Sequence, residues 1–305
     1  MLYRFLWFLS RLVCCFPHSV LLTLGKWLGI LFHVVDWRHR EYAVRQMMEC
    51  LDLPEAEARR VERLSSINLG RNVLEILYTP ALTRENFREY IEVEHLDNAE
   101  AAWNEGKGVV VYTAHIGTWE WLAATIALLG FPSTTTARTQ PNDQVSLFLD
   151  AIRARNGIEV FATRSGPREM VVASRALKAG KGLGILADND AGENGIPVTF
   201  MERPFSAPKG HAFFAEKLGC PVLPAFILRK EDGKHKVVFG EPLHLEVGQG
   251  PGKGPVPLTV RLTEIMERTI RENPTQWIWY RRLWNTFSGE RETFNEKIES
   301  KEESI

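Results

Sequence analysis

A histidine and a glutamate five positions apart, His115 and Glu120, stand where the hydrophobic period of the chain changes. Such a pair can act as a general base and its orienting carboxylate, because a carboxylate bound to one imidazole nitrogen leaves the other free to take a proton near neutral pH. On a continuous helix this spacing would set the two side chains about 140° apart, so they can meet only across a bend. Gly117 supplies the backbone freedom for one, and Glu120 then falls in the first helical turn. The alternative is that His115 is a satisfied polar residue at a strand end and that Glu120 merely complements the helix dipole.

The surrounding residues specify the elements that hold the pair. Val109, Val110, Val111 and Tyr112 are β-branched or aromatic and read as a buried strand. Trp119, Leu122, Ala123, Ile126 and Leu129 have the spacing of one helical face, which places His115 in a strand-to-helix turn. Downstream, strands are expected at 133–138, 158–163 and 182–187, with helices at 143–155 and 167–178 between them. Residues 196–200 and 202–205 then flank a short turn, followed by a helix at 209–218 and closing strands at 221–228 and 235–239. The alternation predicts an α/β fold with a largely parallel central sheet flanked by helices, whose ligands gather at the strand carboxyl ends.

His115, Arg138, Arg164 and Asp188 all fall at such ends. Arg138 and Arg164 can serve as cationic anchors for a polar or phosphorylated substrate, or pair with surface carboxylates. The run Ala187 to Asp190, ADND, is open to two readings. Asp188 and Asp190 could chelate a divalent cation, or the turn could be structural and substrate-positioning, with Asp188 facing the cleft.

The motif HIGTWEW resembles the His-x4-Asp/Glu signature of the glycerophosphate and lysophospholipid acyltransferase superfamily, and most closely its branch of bacterial lipid A late acyltransferases. The similarity runs from about Trp37 to Phe287. It takes in ART-x-PN at Ala137 to Asn142, ADND, VTFMERPFSAPKG at Val198 to Gly210, and PTQWIWYRRLW at Pro274 to Trp284. The resemblance implies a glycerophosphate-acyltransferase-like fold with His115 and Glu120 catalytic. It implies a substrate-binding region containing Arg138, Asn142, Arg164 and Asp188, with no metal and no cofactor. Acyl-carrier protein or acyl-CoA would be the donor and a lipid A precursor the acceptor, on the cytoplasmic side of a bacterial inner membrane. The chain departs from the family at Gln46, where an Asn is usual.

The 305 residues carry a net charge of −1 and are 45% hydrophobic, so no global basic field points to nucleic acid. Cys14, Cys15, Cys50 and Cys220 have neither C-x-x-C pairing nor zinc spacing. The stretch GQGPGKG at Gly248 to Gly254 lacks the spacing and the following Ser or Thr of a phosphate loop. Three parts are expected: an apolar helical segment at 1–36, an acyltransferase domain at 37–287 and a polar tail at 288–305.

In the first part, the longest uncharged run, Leu12 to Gly25, contains Pro17 and falls short of the ~20 residues of a spanning helix. Leu2, Phe5, Leu6, Trp7, Phe8 and Leu9 surround a thin stripe of Arg4 and Arg11, as in a helix lying in the headgroup region. Packing on the domain core, or spanning with Arg11 or Lys26 snorkelling, are the alternatives. Trp277, Trp279, Tyr280 and Trp284 suit either a membrane interface or a plug in the core.

Together these features predict a membrane-associated acyltransferase. Its rivals are an acyltransferase for another glycolipid or lysophospholipid, a metal-dependent glycosyltransferase or phosphatase using Asp188 and Asp190, and a membrane-surface scaffold.

Overall fold

The computed structural model describes residues 1–138, 143–163, 167–246, 248, 252–281, 283, 284 and 286. Four helices come first: α1 (Leu2–Val13), α2 (His18–Val35), α3 (Trp37–Leu51) and α4 (Glu55–Tyr78). A short helix α5 (Phe87–Tyr90), strand β1 (Ile91–Glu94) and helix α6 (Leu96–Asn104) lead into the alternating region. There β2 (Val109–Thr113), α7 (Trp119–Leu128), β3 (Ser133–Arg138), α8 (Gln144–Arg155), β4 (Ile158–Thr163), α9 (Pro167–Lys178) and β5 (Gly182–Leu186) follow in turn. The hairpin β6 (Ile196–Phe200) and β7 (Arg203–Ala207), helix α10 (Gly210–Leu218), strands β8 (Val222–Arg229) and β9 (His235–Phe239), and helix α11 (Pro255–Glu272) complete the set.

Seven strands form one sheet in the order β1-β9-β8-β2-β5-β3-β4. All neighbours are parallel except β8 and β9, so the expected α/β architecture is present. All five residues of β2 are buried, as a central strand covered by helices on both faces requires. Strand β1 has no counterpart in the sequence expectations. It alternates Ile and Val with Glu, the period of a half-buried strand, but over only four residues, the shortest stretch on which that signal can be read, and it pairs only at the sheet edge with β9.

Helices α2 and α4 touch at backbone distance. A Cβ on Gly29 would lie 2.3 Å from the Ser66 carbonyl oxygen, and one on Gly70 would lie 2.3 Å from Gly29 N, so only glycines permit this approach. The inward face of α2 is Leu21, Gly25 and Gly29, whereas Val20, Leu24, Trp27, Leu31, Val34 and Val35 are exposed. By length and composition alone, His18–Val35 is apolar enough to cross a membrane.

Helix α1 divides likewise. Leu2, Phe5, Phe8 and Leu12 are exposed, while Leu6, Trp7, Leu9 and Val13 pack on the core, Trp7 meeting Phe148 edge-on at 5.3 Å. Core packing and an outward apolar face thus belong to opposite sides of one helix.

The tryptophan-rich C-terminal stretch is a plug in the core. Trp277, Trp279, Leu283 and Trp284 are all buried.

Two buried histidines make stability depend on pH. Burial pushes His211 of α10, whose Nε2 lies 3.0 Å from Thr259 Oγ1, down to about 4 from its ordinary value of 6.5. Burial, only partly offset by Glu75, lowers His235 as well. A histidine lowered on folding binds more protons when unfolded, so stability is complete above the unfolded value and falls as pH drops below it. Between pH 7 and pH 5, His211 alone should cost about 2 kcal/mol. Urea melts at the two pH values should show a smaller difference for His211→Gln than for the wild type.

Candidate active site

Register builds the site. In the parallel pair of β2 and β5, Thr113 stands opposite Leu186, and Ala187 N donates to Thr113 O at 2.8 Å. Two residues further along each strand, His115 and Asp188 are brought face to face at the carboxyl ends. His115 N donates to Asp188 Oδ2 at 2.9 Å, and Nδ1 lies 2.8 Å from Oδ1. The Trp277 indole donates to Oδ2 at 2.9 Å, so Asp188, fully buried, is held by three donors.

Burial by itself would raise the Asp188 carboxyl, but His115, Arg281 and the His115 backbone N–H outweigh it and hold it below the ordinary carboxylate range. An ionised Asp188 accepts the hydrogen bond from Nδ1–H. Nε2 is then left with its lone pair, on a side chain that is 17% exposed and so open to a substrate.

The turn from 115 to 118 is fixed at each end. Gly117 has φ +57°, and a Cβ there would lie 2.1 Å from the Ile227 carbonyl oxygen, so this bend demands glycine. Gly117 N donates to Gln276 O at 3.0 Å, and Ile278 N donates to His115 O at 3.2 Å. Trp119, the first residue of α7, meets the imidazole edge-on at 5.1 Å.

Among the described contacts no hydrogen bond joins His115 and Glu120. Glu120 does lie in the first turn of α7, as expected, but from there its carboxylate is turned to α8. It accepts from Arg153 Nε at 2.9 Å and from Nη2 at 2.6 Å. Its place beside the imidazole is filled by Asp188.

Arg138 ends β3, where it pairs with Thr163 of β4. Asn142 and Arg164 lie outside the described residues. Arg281 was not singled out as a site residue in the sequence, being one cation of an aromatic-rich motif. Its Nη1 is 2.6 Å from His115 Nδ1 and 3.7 Å from Asp188 Oδ1, and its Nη2 engages Asn189. With the Nδ1 proton turned to Asp188, that nitrogen has no lone pair to offer Arg281. The guanidinium is therefore held by the Asp188 carboxylate and by Asn189 Oδ1 rather than by the imidazole.

Asp190 accepts from Gly192 N and Thr286 N, both at 2.9 Å. Both carboxylates of the ADND turn thus accept hydrogen bonds from protein donors.

Helix α4 supplies two residues beneath the turn. Asn72 donates to Gly117 O at 2.8 Å, and Glu75 accepts from Thr118 Oγ1 at 2.5 Å. The available signal was a Glu set in the otherwise apolar run VLEILY.

The description "Bacterial lipid A biosynthesis acyltransferase" belongs to a family profile that matches residues 2–286. The lipid A biosynthesis palmitoleoyltransferase of Escherichia coli is 24% identical over 275 residues, covering 88% of this chain and 86% of that protein. A lipid A biosynthesis acyltransferase of Haemophilus influenzae is 24% identical over 283 residues, covering 90% and 88%. The phosphatidylinositol mannoside acyltransferase of Mycolicibacterium smegmatis is 24% identical over 224 residues, covering 73% and 71%. With the profile spanning nearly every residue, the chain belongs to the bacterial lipid A biosynthesis acyltransferase family.

Proposed function

We propose that this protein moves a fatty acyl chain from an acyl thioester to a hydroxyl of a lipid A precursor, with His115 as general base. The observation that carries the reading is the His115–Asp188 pair, with Nδ1 engaged by a buried carboxylate and Nε2 without a hydrogen-bond partner among the described residues. Nε2 takes the proton of the acceptor hydroxyl as its oxygen attacks the thioester carbonyl carbon. The tetrahedral intermediate collapses, the C–S bond breaks, and the imidazolium returns the proton to the departing thiolate. The products are an ester and a free thiol, with no acyl-enzyme between them.

Asp188 holds the tautomer and balances the imidazolium charge. In the same proposal Glu120, fixed by Arg153, braces the first turn of α7, and Arg281 is a cation available to developing negative charge. Arg138, Asn142 and Arg164 are proposed as anchors for the polar part of the acceptor. Acyl-carrier protein is the proposed donor, with coenzyme A as the alternative carrier. The outward apolar faces of α1 and α2 would seat the protein on the cytoplasmic side of a bacterial inner membrane. Family membership removes the metal-dependent glycosyltransferase or phosphatase as a rival. Names among the relatives keep a second acceptor in view, phosphatidylinositol mannoside.

The test is direct. Purified full-length protein is incubated with a dodecanoyl thioester, on acyl-carrier protein or on coenzyme A, and with either a lipid A precursor or a phosphatidylinositol mannoside. Mass spectrometry should show one added acyl chain on the lipid A precursor, with faster transfer from the carrier protein. Transfer to the mannoside alone would move the assignment to the second acceptor, and transfer to neither would overturn it.

A further inference from the structure

A buried charge cluster that takes no part in proton transfer lies directly under the catalytic turn. Glu75 of α4 is fully buried. Its carboxylate meets His18 Nε2 at 3.0 Å, His235 Nε2 at 2.9 Å, Arg229 Nη2 at 2.8 Å and Thr118 Oγ1 at 2.5 Å, and Arg229 Nη1 also donates to it. Arg229 Nη2 additionally donates to Asn72 Oδ1 at 2.7 Å. The cluster draws its members from α2, α4, β8, β9 and the turn before α7.

A charged cluster at such depth is a poor device for stability, because well-packed apolar side chains would serve as well or better. Its geometry serves placement. Glu75 holds the Thr118 hydroxyl, and Asn72, itself fixed by Arg229, holds the Gly117 carbonyl. These two residues follow His115 by two and three positions, at the glycine bend where the backbone is softest. An error of about 1 Å in a catalytic group can cost about 10²-fold in rate.

The cluster also reaches outward. His18 opens helix α2, and its ring packs on Trp121 of α7 at 5.6 Å and on Tyr90 at 5.4 Å.

We infer that Glu75 is a positioning residue for His115, acting through Thr118 and Asn72, and that His18 makes helix α2 part of the same device. The apolar N-terminal helix is then a component of the catalytic scaffold as well as a seat on the lipid.

The inference rests on the proposed transfer reaction for its kinetic readout, so the test adds one that needs no substrate. Thr118→Val, Thr118→Ser and His18→Leu are made in the full chain. Transfer from dodecanoyl acyl-carrier protein to the lipid A precursor is followed in detergent micelles, together with melting temperature and liposome flotation. The Thr118→Val and His18→Leu variants should lower kcat about tenfold or more at a temperature where both remain folded, with KM for the acceptor little changed, although the melting temperature falls as a buried carboxylate loses a partner. Ser should restore the rate by restoring the hydroxyl, and flotation of His18→Leu should match the wild type. In a His115→Ala background neither substitution should lower the residual rate further.

Independently of any reaction, the Nδ1 resonance of His115 in protein labelled with ¹⁵N-histidine, assigned through His115→Ala, should move in both variants. A His115 resonance unmoved in both would overturn the inference, whether or not the protein transfers acyl groups. Activity losses that track melting temperature and are not rescued by Ser would overturn it too. Should Thr118→Val fail to fold, His18→Leu decides alone, since His18 lies at the rim with 11% of its side chain exposed.

Discussion

His115→Ala should lower acyl transfer by about 10²–10⁴-fold in a protein that still melts cooperatively. The imidazole makes one hydrogen-bonded pair with Asp188 and is partly open to solvent, so its loss removes the proposed base without opening the core. Asp188→Asn should fall in the same range. The amide can present its NH₂ group to Nδ1, which would favour the tautomer that carries its proton on Nε2, and that tautomer cannot accept from a hydroxyl. Glu120→Gln should cost less, because Glu120 is bound to Arg153 and reaches the base only through the packing of α7. Single-turnover rates for the three variants, with melting curves beside them, order the roles. Wild-type turnover by folded His115→Ala would remove general-base catalysis by this residue, and a Glu120→Gln enzyme as slow as Asp188→Asn would return the orienting role to Glu120.

Replacing Leu24, Trp27 and Leu31 together by Asp should release most of the protein from liposomes while leaving the melting temperature close to that of the wild type. These side chains are 48%, 63% and 55% exposed, on the side of α2 away from the glycine contact with α4. Each apolar group of this size contributes roughly 1.5–3 kcal/mol when removed from water, so the three together should shift partitioning by on the order of 10³-fold or more. Point substitution tests this better than deletion of residues 1–36, because deletion would uncover the backbone-close face of α4 and remove His18 from Glu75. Activity on acceptor in bilayers should fall with flotation, and activity in detergent micelles should survive. A triple variant that floats like the wild type would exclude this face as the membrane contact.

Much of the frame was legible in the sequence because it rests on local patterns. The alternation from Val109 to Leu186 gave the parallel strands, and the break at Gly117 placed His115 at a strand end. Asp188 was assigned to the cleft by the same rule. What the sequence could not display was the partner of the imidazole. Glu120 is five residues from His115 and so catches the eye, whereas Asp188 is 73 residues away and arrives only through strand register. The tryptophans after Pro274 have the composition of both an interface and a core, and only the tertiary packing of Trp277 against Asp188 separates the two. Glu75 is hidden for the opposite reason. One charge on a helix of mixed composition looks solvated until Arg229 and His235, more than 150 residues later, close over it.

Synthesis runs from the first residue to the last, and the site depends on that order. His115 and Asp188 belong to strands β2 and β5, but the groups that fix them come from 276–281, after every strand of the sheet. A nascent chain that has folded its sheet still lacks the main-chain bonds from Gln276 and Ile278 and the indole of Trp277. By contrast α1 and α2 leave the ribosome before residues 276–281, and on the proposed seating their apolar faces would meet lipid before the proposed base is in place. On the proposed membrane seating, arrival at the lipid precedes competence, and a ribosome stalled short of Gln276 would hold a seated but inactive protein.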